Sequence, residues 1–398
     1  MRRTKTLAAF LALAALSLPT MPRPSGADAR QAGDPGVSST QVLVGASLPE
    51  SGPAGAYGVI GGAENAYFQY VNAHGGVNGR KLTLLVQDDG YDPSRTLVNV
   101  KNLVLSRNVF ALLSVLGTAN NQAVLPFITR QGVPLVYPAT GSSLMAKPFH
   151  QYLFPIQVTY TVEGKVLTDY AAKVLHAKRI GVFYQNDDFG AEGLAAVTAR
   201  VKQDGVTLAD SEPYQITDTD LSAQALKLKQ AKVDAVIIFA IPSPAGTFIG
   251  TSRRIGLKAA LLSSSIAAQP ALLTALGPAG EGIYFSNFSP LPDSSDPKVV
   301  FYRQVLKQYG DPTTTPIGPF TEAGVGAAEV FVEGLRRAGR NLTRQGFIRA
   351  LETFRAYNGS LYPKLTYTAT NHGGVQGAYV MQSRHGAFVQ VAPFEYPS

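Results

Sequence analysis

From Gln41 onward, short runs rich in β-branched residues alternate with stretches of helical spacing. Parallel strands need a crossover of a dozen or more residues, usually a helix, so this rhythm predicts parallel βα units with helices on both faces of a sheet. Strands are predicted over residues 41–46, 81–87, 109–116 and 133–137. Between the first two, Ile60, Ala63, Tyr67, Tyr70 and Val71 form one apolar stripe at helical spacing. Asp92-Pro93 opens the next helix, to about 107, with Asp as cap and Pro where a missing N–H costs nothing. A third helix is predicted over 121–131.

The rhythm breaks over 138–152 and then restarts, which predicts a second sheet. Its helices are expected at 161–176, 190–202 and 221–231, its strands at 179–184, 233–240 and 260–264. A strand over 283–286 is assigned to the first sheet, followed by helices at 297–309, 320–338 and 343–353. Short β segments at 365–367, 377–382 and 387–391 close the chain. The fold class is therefore α/β: two doubly wound parallel-sheet lobes joined by several chain crossings.

The first 29 residues read as an export signal. Arg2, Arg3 and Lys5 precede an apolar run over 7–19, and Ala27-Asp28-Ala29 offers an A-x-A cleavage site. As a helix such a run reaches only about 20 Å, short of the roughly 30 Å of membrane hydrocarbon, so it is read as a leader and not an anchor. The mature chain is expected to begin near Arg30, in the periplasm, and removing residues 1–29 leaves 369. That is more than one core usually serves, in keeping with two lobes. No cysteine is present, so neither disulfides nor a lipid-bearing cysteine is expected. Setting the leader aside lowers the formal net charge from +8 to +5. Lys and Arg are dispersed along the chain, which argues against a nucleic-acid partner.

An enzyme needs a nucleophile, a base or a metal set, and the inventory is thin. His74, His150, His176, His372 and His385 stand far apart and in no metal-ligating spacing, so neither a metal nor a cofactor is expected. The pairs Asp88-Asp89 and Asp187-Asp188 follow strands, where α/β folds bind ligands. Adjacent side chains diverge, so solvated loop carboxylates are the plainer reading. The loop from Gly52 to Gly58 spaces its glycines G-x-x-G-x-x-G, and Asp88 lies 30 residues beyond it. A dinucleotide fingerprint wants G-x-G-x-x-G and an acid about 20 residues on.

Gly117-Thr118-Ala119-Asn120, at the end of the third strand, carries more. Glycine lets a ligand approach the backbone, threonine adds a hydroxyl, and free N–H groups at a helix start receive a carboxylate. Pro138-Ala139-Thr140-Gly141-Ser142, after the fourth strand, repeats that chemistry. Hydrogen bonds to a charged group contribute about 1.5–3 kcal/mol each, so two or three hold a small anion without arginine. The competing reading is that both loops merely turn the chain.

The order of these motifs resembles the leucine/isoleucine/valine-type solute-binding proteins of ABC transporters. The matching residues are Gly45-Ala46-Ser47-Leu48-Pro49 with Ser51-Gly52-Pro53, then Asn72 through Gly79, Asp88-Asp89-Gly90-Tyr91-Asp92-Pro93 and Gly117-Thr118. They continue with Gly132-Val133-Pro134, Pro138-Ala139-Thr140 and Asn186-Asp187-Asp188-Phe189-Gly190. The resemblance implies the type I periplasmic-binding fold. Its first lobe would hold 40–155 plus 282–358 and its second 156–281 plus 359–398, with hinges near 154–157, 280–284 and 358–363.

It also implies a site. Thr118 falls where the family grips the ligand carboxylate, with Ala139 and Thr140 or Gly141 completing the grip. Tyr57 and Phe189 match aromatic walls from the first and second lobes. Ser265 stands where members that bind α-amino acids place a glutamate against the ligand ammonium, and the second-lobe aromatic expected near Ile241 or Pro242 is missing. A buried ammonium without an anion costs several kcal/mol, so an organic acid, amide or aromatic carboxylate competes with an amino acid as the ligand. The implied function is a periplasmic receptor, not an enzyme, serving an ABC permease in the inner membrane. A ligand sensor of the same fold is the alternative, and an exported hydrolase ranks third.

Overall fold

The structure, a computed structural model, describes residues 34–314 and 317–397. The expected leader, 1–29, and the start at Arg30 lie outside the described residues. The first sheet contains β1 (Gln41–Leu48), β2 (Lys81–Asp88), β3 (Ala111–Leu116), β4 (Leu135–Val136), β5 (Pro138–Ala139) and β6 (Leu153–Phe154). Its order is β2-β1-β3-β4-β6, with β5 also on β3, and every pairing is parallel. β3 is buried along its whole length, as expected of a central strand covered on both faces. The crossovers are α1 (Val59–Ala73), α2 (Pro93–Lys101) and α3 (Thr118–Gln131). Asp92 caps α2 through the N–H groups of Ser94 and Arg95, and the helix continues as a wider turn over Asn102–Ser106.

The second sheet contains β7 (Arg179–Gln185), β8 (Thr207–Tyr214), β9 (Ala235–Phe239), β10 (Ala260–Ser263), β11 (Tyr284–Asn287), β12 (Tyr379–Arg384) and β13 (Ala387–Gln390), in the order β13-β12-β11-β10-β9-β7-β8. Its helices are α4 (Tyr160–Asp169), α5 (Asp188–Gln203), α6 (Ser222–Gln230), α7 (Pro242–Arg254) and α8 (Pro270–Leu276). β8 and α7 were not anticipated, and 365–367 is no strand: only an isolated bridge joins Tyr357 to Leu365.

One assignment is corrected. The strand expected over 283–286 in the first sheet is β11, which pairs parallel with β10 and antiparallel with β12 in the second. A lobe boundary at 282 therefore falls ahead of a strand that belongs to the other sheet. The chain returns to the first sheet's helices only after Asn287, through α9 (Pro297–Tyr309), α10 (Pro319–Ala338) and α11 (Arg344–Leu351). α10 packs on both α1 and α11. It is buried from Pro319 to Val332, and a helix apolar on nearly every face belongs in a core. Among the described residues, no helix is long and apolar enough to cross a membrane.

Candidate functional site

Where the two sheets meet, the chain forms a cleft in which about 50 Å³ admits the centre of a water molecule. A single water needs roughly 10–15 Å³ on that measure, so the closed cleft has room for a small solute's polar end or a few waters. From the first sheet's side come Tyr57, Ile60, Tyr91, Leu116, Gly117, Tyr137 and Ala139. Tyr160, Phe189, Ile241, Ser265 and Ile266 face them from the second, and Gln157, Phe288, Ser289 and Tyr362 come from the crossings. Helix α10 adds Pro319, Phe320 and Ala323. Among the described residues no Asp, Glu, Lys, Arg or His lines the cleft. Its lining is rings, aliphatics and neutral hydrogen-bonding groups.

Two of the rings are held by unusual backbone. Tyr91 has φ +67° and Tyr137 φ +64°, a region that bulky L-residues rarely adopt. At Tyr91 the conformation is fixed by Asp89, a buried carboxylate that accepts from the Tyr91 N–H (2.9 Å), the Ser47 hydroxyl (2.8 Å) and the Thr96 hydroxyl (3.0 Å). Asp88 accepts from the Ser51 hydroxyl at 2.6 Å and from the N–H groups of Glu50 and Gly90. Desolvation opposes its ionisation, but these bonds prevail and hold it down at about 2. Asp187 caps α5 by accepting from Phe189 and Gly190, which sets the Phe189 ring against Tyr160 at 4.7 Å. Asp89 and Asp187 therefore hold aromatics in place, and none of the three aspartates lines the cleft itself.

Bonds cross the cleft, so this is the closed form. Tyr57 Oη donates to the Ile266 carbonyl at 2.8 Å, the Tyr160 N–H to the Gly141 carbonyl at 2.8 Å, and Gln185 Nε2 to Tyr91 Oη at 3.4 Å. At the rim, the Ser143 N–H donates to both Glu192 carboxylate oxygens, at 3.0 and 3.1 Å. Burial pushes the Tyr57 phenol well above its ordinary range, so it stays a neutral donor.

A model of the periplasmic binding protein family matches residues 41–387. The chain belongs to that family. A Leu/Ile/Val-binding protein homolog from Brucella melitensis is 26% identical over 83% of this chain and 88% of its own. A fatty acid ABC transporter substrate-binding protein from Thermomonospora curvata superposes with a TM-score of 0.84 at 25% identity, over 92% of this chain and 94% of that one. A substrate-binding periplasmic protein from Ralstonia solanacearum does so with a TM-score of 0.82 at 28% identity, over 88% and 100%. The fold is the type I periplasmic-binding fold. The homologues are named as Leu/Ile/Val-binding proteins, the structural neighbours include ABC transporter proteins for a fatty acid and a branched-chain amino acid, and the family is one of solute binders, not of enzymes.

Within this family fold, four of the seven residues picked from sequence, Tyr57, Ala139, Phe189 and Ser265, line the cleft together. Thr118, Thr140 and Gly141 sit immediately behind its wall. Thr118 Oγ1 and Thr140 Oγ1 are 2.8 Å apart, and Thr140 Oγ1 is 3.2 Å from Tyr160 Oη, one hydroxyl chain leading to the surface of the cleft. Gly141 packs under Tyr160, where an added Cβ would lie 2.7 Å from the Val158 carbonyl and 2.8 Å from the ring. Gly117 lines the cleft at φ +105° and heads α3, whose first N–H groups have no side-chain cap. Ser265 is backed by a buried acid: its N–H and the Ser286 hydroxyl donate to Glu163 Oε1 at 2.8 and 2.7 Å. Burial holds that carboxyl above its ordinary range, and its other oxygen has no partner.

Sequence reasoning missed Gln157, Tyr160, Phe288, Phe320 and Tyr362 as lining residues. Tyr91 and Ile241 were quoted there without a role in the wall. The signal at Phe320 was present in Pro319-Phe320 at the head of a long apolar helix, but crossing residues such as Gln157 follow no periodic pattern.

Proposed function

We propose that this protein is an extracytoplasmic receptor that captures a small carboxylate with an apolar body by closing its cleft, and delivers it to an ABC permease of the inner membrane. The observation that carries this reading is a ring-lined cleft with no Asp, Glu, Lys, Arg or His among its described lining residues, set at the uncapped start of α3. The helix start and the Gly117 and Ala139 loops supply partial positive charge and neutral donors, which suit an anion. The rings suit an apolar body. The solutes named for the Brucella and Thermomonospora relatives, branched-chain amino acids and fatty acids, share that chemistry: a carboxylate on an apolar tail. Export to the periplasm through residues 1–29 and the permease partner are part of the proposal.

With no anion in the wall, an α-ammonium would be buried unpaired, at a cost of several kcal/mol. Leucine, 4-methyl-2-oxopentanoate and 4-methylpentanoate share one skeleton and differ only at the α-carbon. Isothermal titration is expected to give at least one of the two acids an affinity tenfold or more above that of leucine. Leucine binding as tightly as both acids would overturn the reading.

A further inference from the structure

Among the described residues, every polar side chain in the cleft wall except one has a partner within the protein. The hydroxyls of Tyr57 and Tyr362 donate to carbonyls, that of Tyr160 meets Thr140, and that of Tyr91 accepts from Gln185. Asn287 donates to the Ser289 carbonyl and to Tyr379 Oη and accepts from the Phe288 N–H. The exception is Gln157. It is 6% exposed, lines the cleft from the first crossing between the sheets, and its buried Nε2 has no hydrogen-bond acceptor. Buried polar groups are nearly always paired, because a donor stripped of water and left unbonded destabilises the fold. An unpaired amide in the wall of an otherwise satisfied cleft is a group waiting for a partner from outside the chain.

We propose that Gln157 is a specificity-determining ligand contact, donating from Nε2 to a neutral oxygen that the solute carries in addition to its carboxylate. This rests on the carboxylate reading of the cleft and narrows it to oxygenated acids, with a keto, hydroxy or amide oxygen on the apolar body. The carboxylate itself is met by the Gly117 and Ala139 loops at the end of the first sheet, whereas Gln157 stands on the floor where the chain crosses between sheets. Its neutrality matters. An amide bonds an oxygen without the desolvation cost of a buried lysine or arginine, and it offers an ammonium no counter-charge.

The test is Gln157→Leu, which keeps the side chain's bulk and removes its polar atoms. Two matched pairs serve as probes in isothermal titration: 4-methyl-2-oxopentanoate with 4-methylpentanoate, and phenylpyruvate with 3-phenylpropionate. In the wild type the keto acid of at least one pair is expected to bind about tenfold tighter than its deoxy partner. Gln157→Leu should abolish that margin while changing the deoxy acid less than twofold, and should leave the unliganded melting temperature unchanged or raised. Equal loss for both members of a pair, no loss for either, or a lowered melting temperature with the margin intact makes Gln157 a structural residue; the carboxylate reading then stands alone. If the wild type binds none of the four acids, the carboxylate reading fails and this inference fails with it.

Discussion

Glu64 sits on α1 with its carboxyl fully buried beneath the first sheet, one oxygen bonded to the Ser114 hydroxyl and the other without a partner. Burial pushes its pKa from 4.5 up to about 8, outweighing the Ser114 bond, which pulls the other way. The sign of the consequence follows directly. Between pH 4.5 and 8 the folded protein holds a proton that the unfolded chain has released, so stability is highest below about pH 4.5, falls as pH rises, and levels off above 8. At about 1.36 kcal/mol per unit, the loss between pH 5 and pH 8 is on the order of 3–4 kcal/mol from this one side chain, once partial ionisation at pH 8 is allowed for. Glu64→Gln keeps the shape and cannot ionise. Whatever fixed cost its amide carries is the same at both pH values and cancels in the difference. Urea unfolding of wild type and variant at pH 5 and pH 8 should therefore show the variant's relative stability increasing by about 3–4 kcal/mol across that interval. The neighbouring burial of Glu329, pushed up to about 7, steepens the wild-type curve but drops out of the comparison because both proteins share it. A change below about 1 kcal/mol would mean that Glu64 is solvated or paired in solution, and the burial argument would fail.

Thr118→Ala breaks the hydroxyl chain from Thr118 through Thr140 to Tyr160 and should weaken solute binding about tenfold in isothermal titration, with little change in the unliganded melting temperature. Unchanged affinity would remove Thr118 from the binding machinery. Tyr57→Phe keeps the stack on Phe320, whose ring lies 4.5 Å away, but deletes the bond to the Ile266 carbonyl that closes the cleft. One such bond contributes about 0.5–1.5 kcal/mol, so affinity should fall roughly two- to tenfold. Small-angle scattering should also show a larger radius in the variant without solute, and an identical radius and affinity would show that this bond does not hold the closed form.

The elements legible in the sequence were those whose burial leaves a pattern. β1, β3, β7 and β9 are continuous apolar runs because helices cover both faces, and α1 shows its stripe because one side meets a sheet. β8 escaped because it is an edge strand, Thr-Leu-Ala-Asp-Ser-Glu-Pro-Tyr, buried at only two positions and carrying a proline that an edge tolerates. α7 escaped because Pro242, Pro244 and two glycines read as loop, although prolines in a first turn cost a helix little. β11 was seen but placed in the wrong sheet: four residues, three of them buried, carry no information about which neighbours bury them. In the site, Tyr57, Ala139, Phe189 and Ser265 were legible because loops at strand ends keep a recognisable order. Gln157, Phe288 and Tyr362 were not, since the crossings that carry them acquire meaning only when the two sheets are brought together.

What these late-found residues have in common bears on how the cleft works. Tyr91 and Tyr137 sit at positive φ, Gln157 has an unbonded donor, and Glu163 lies buried behind Ser265 with one oxygen unpartnered. Each raises the energy of the closed protein, and all of them lie in the cleft wall or directly behind it. A receptor that closed fully without its solute would offer the open approach nothing to bind, so its closed form has to be less favourable empty than filled. Costs placed at the cleft wall contribute to this. The bonds from Tyr57 to Ile266 and from Ser143 to Glu192 favour closure, the unpaired groups and strained backbone oppose it, and a solute that satisfies Gln157 and covers the rings shifts the balance.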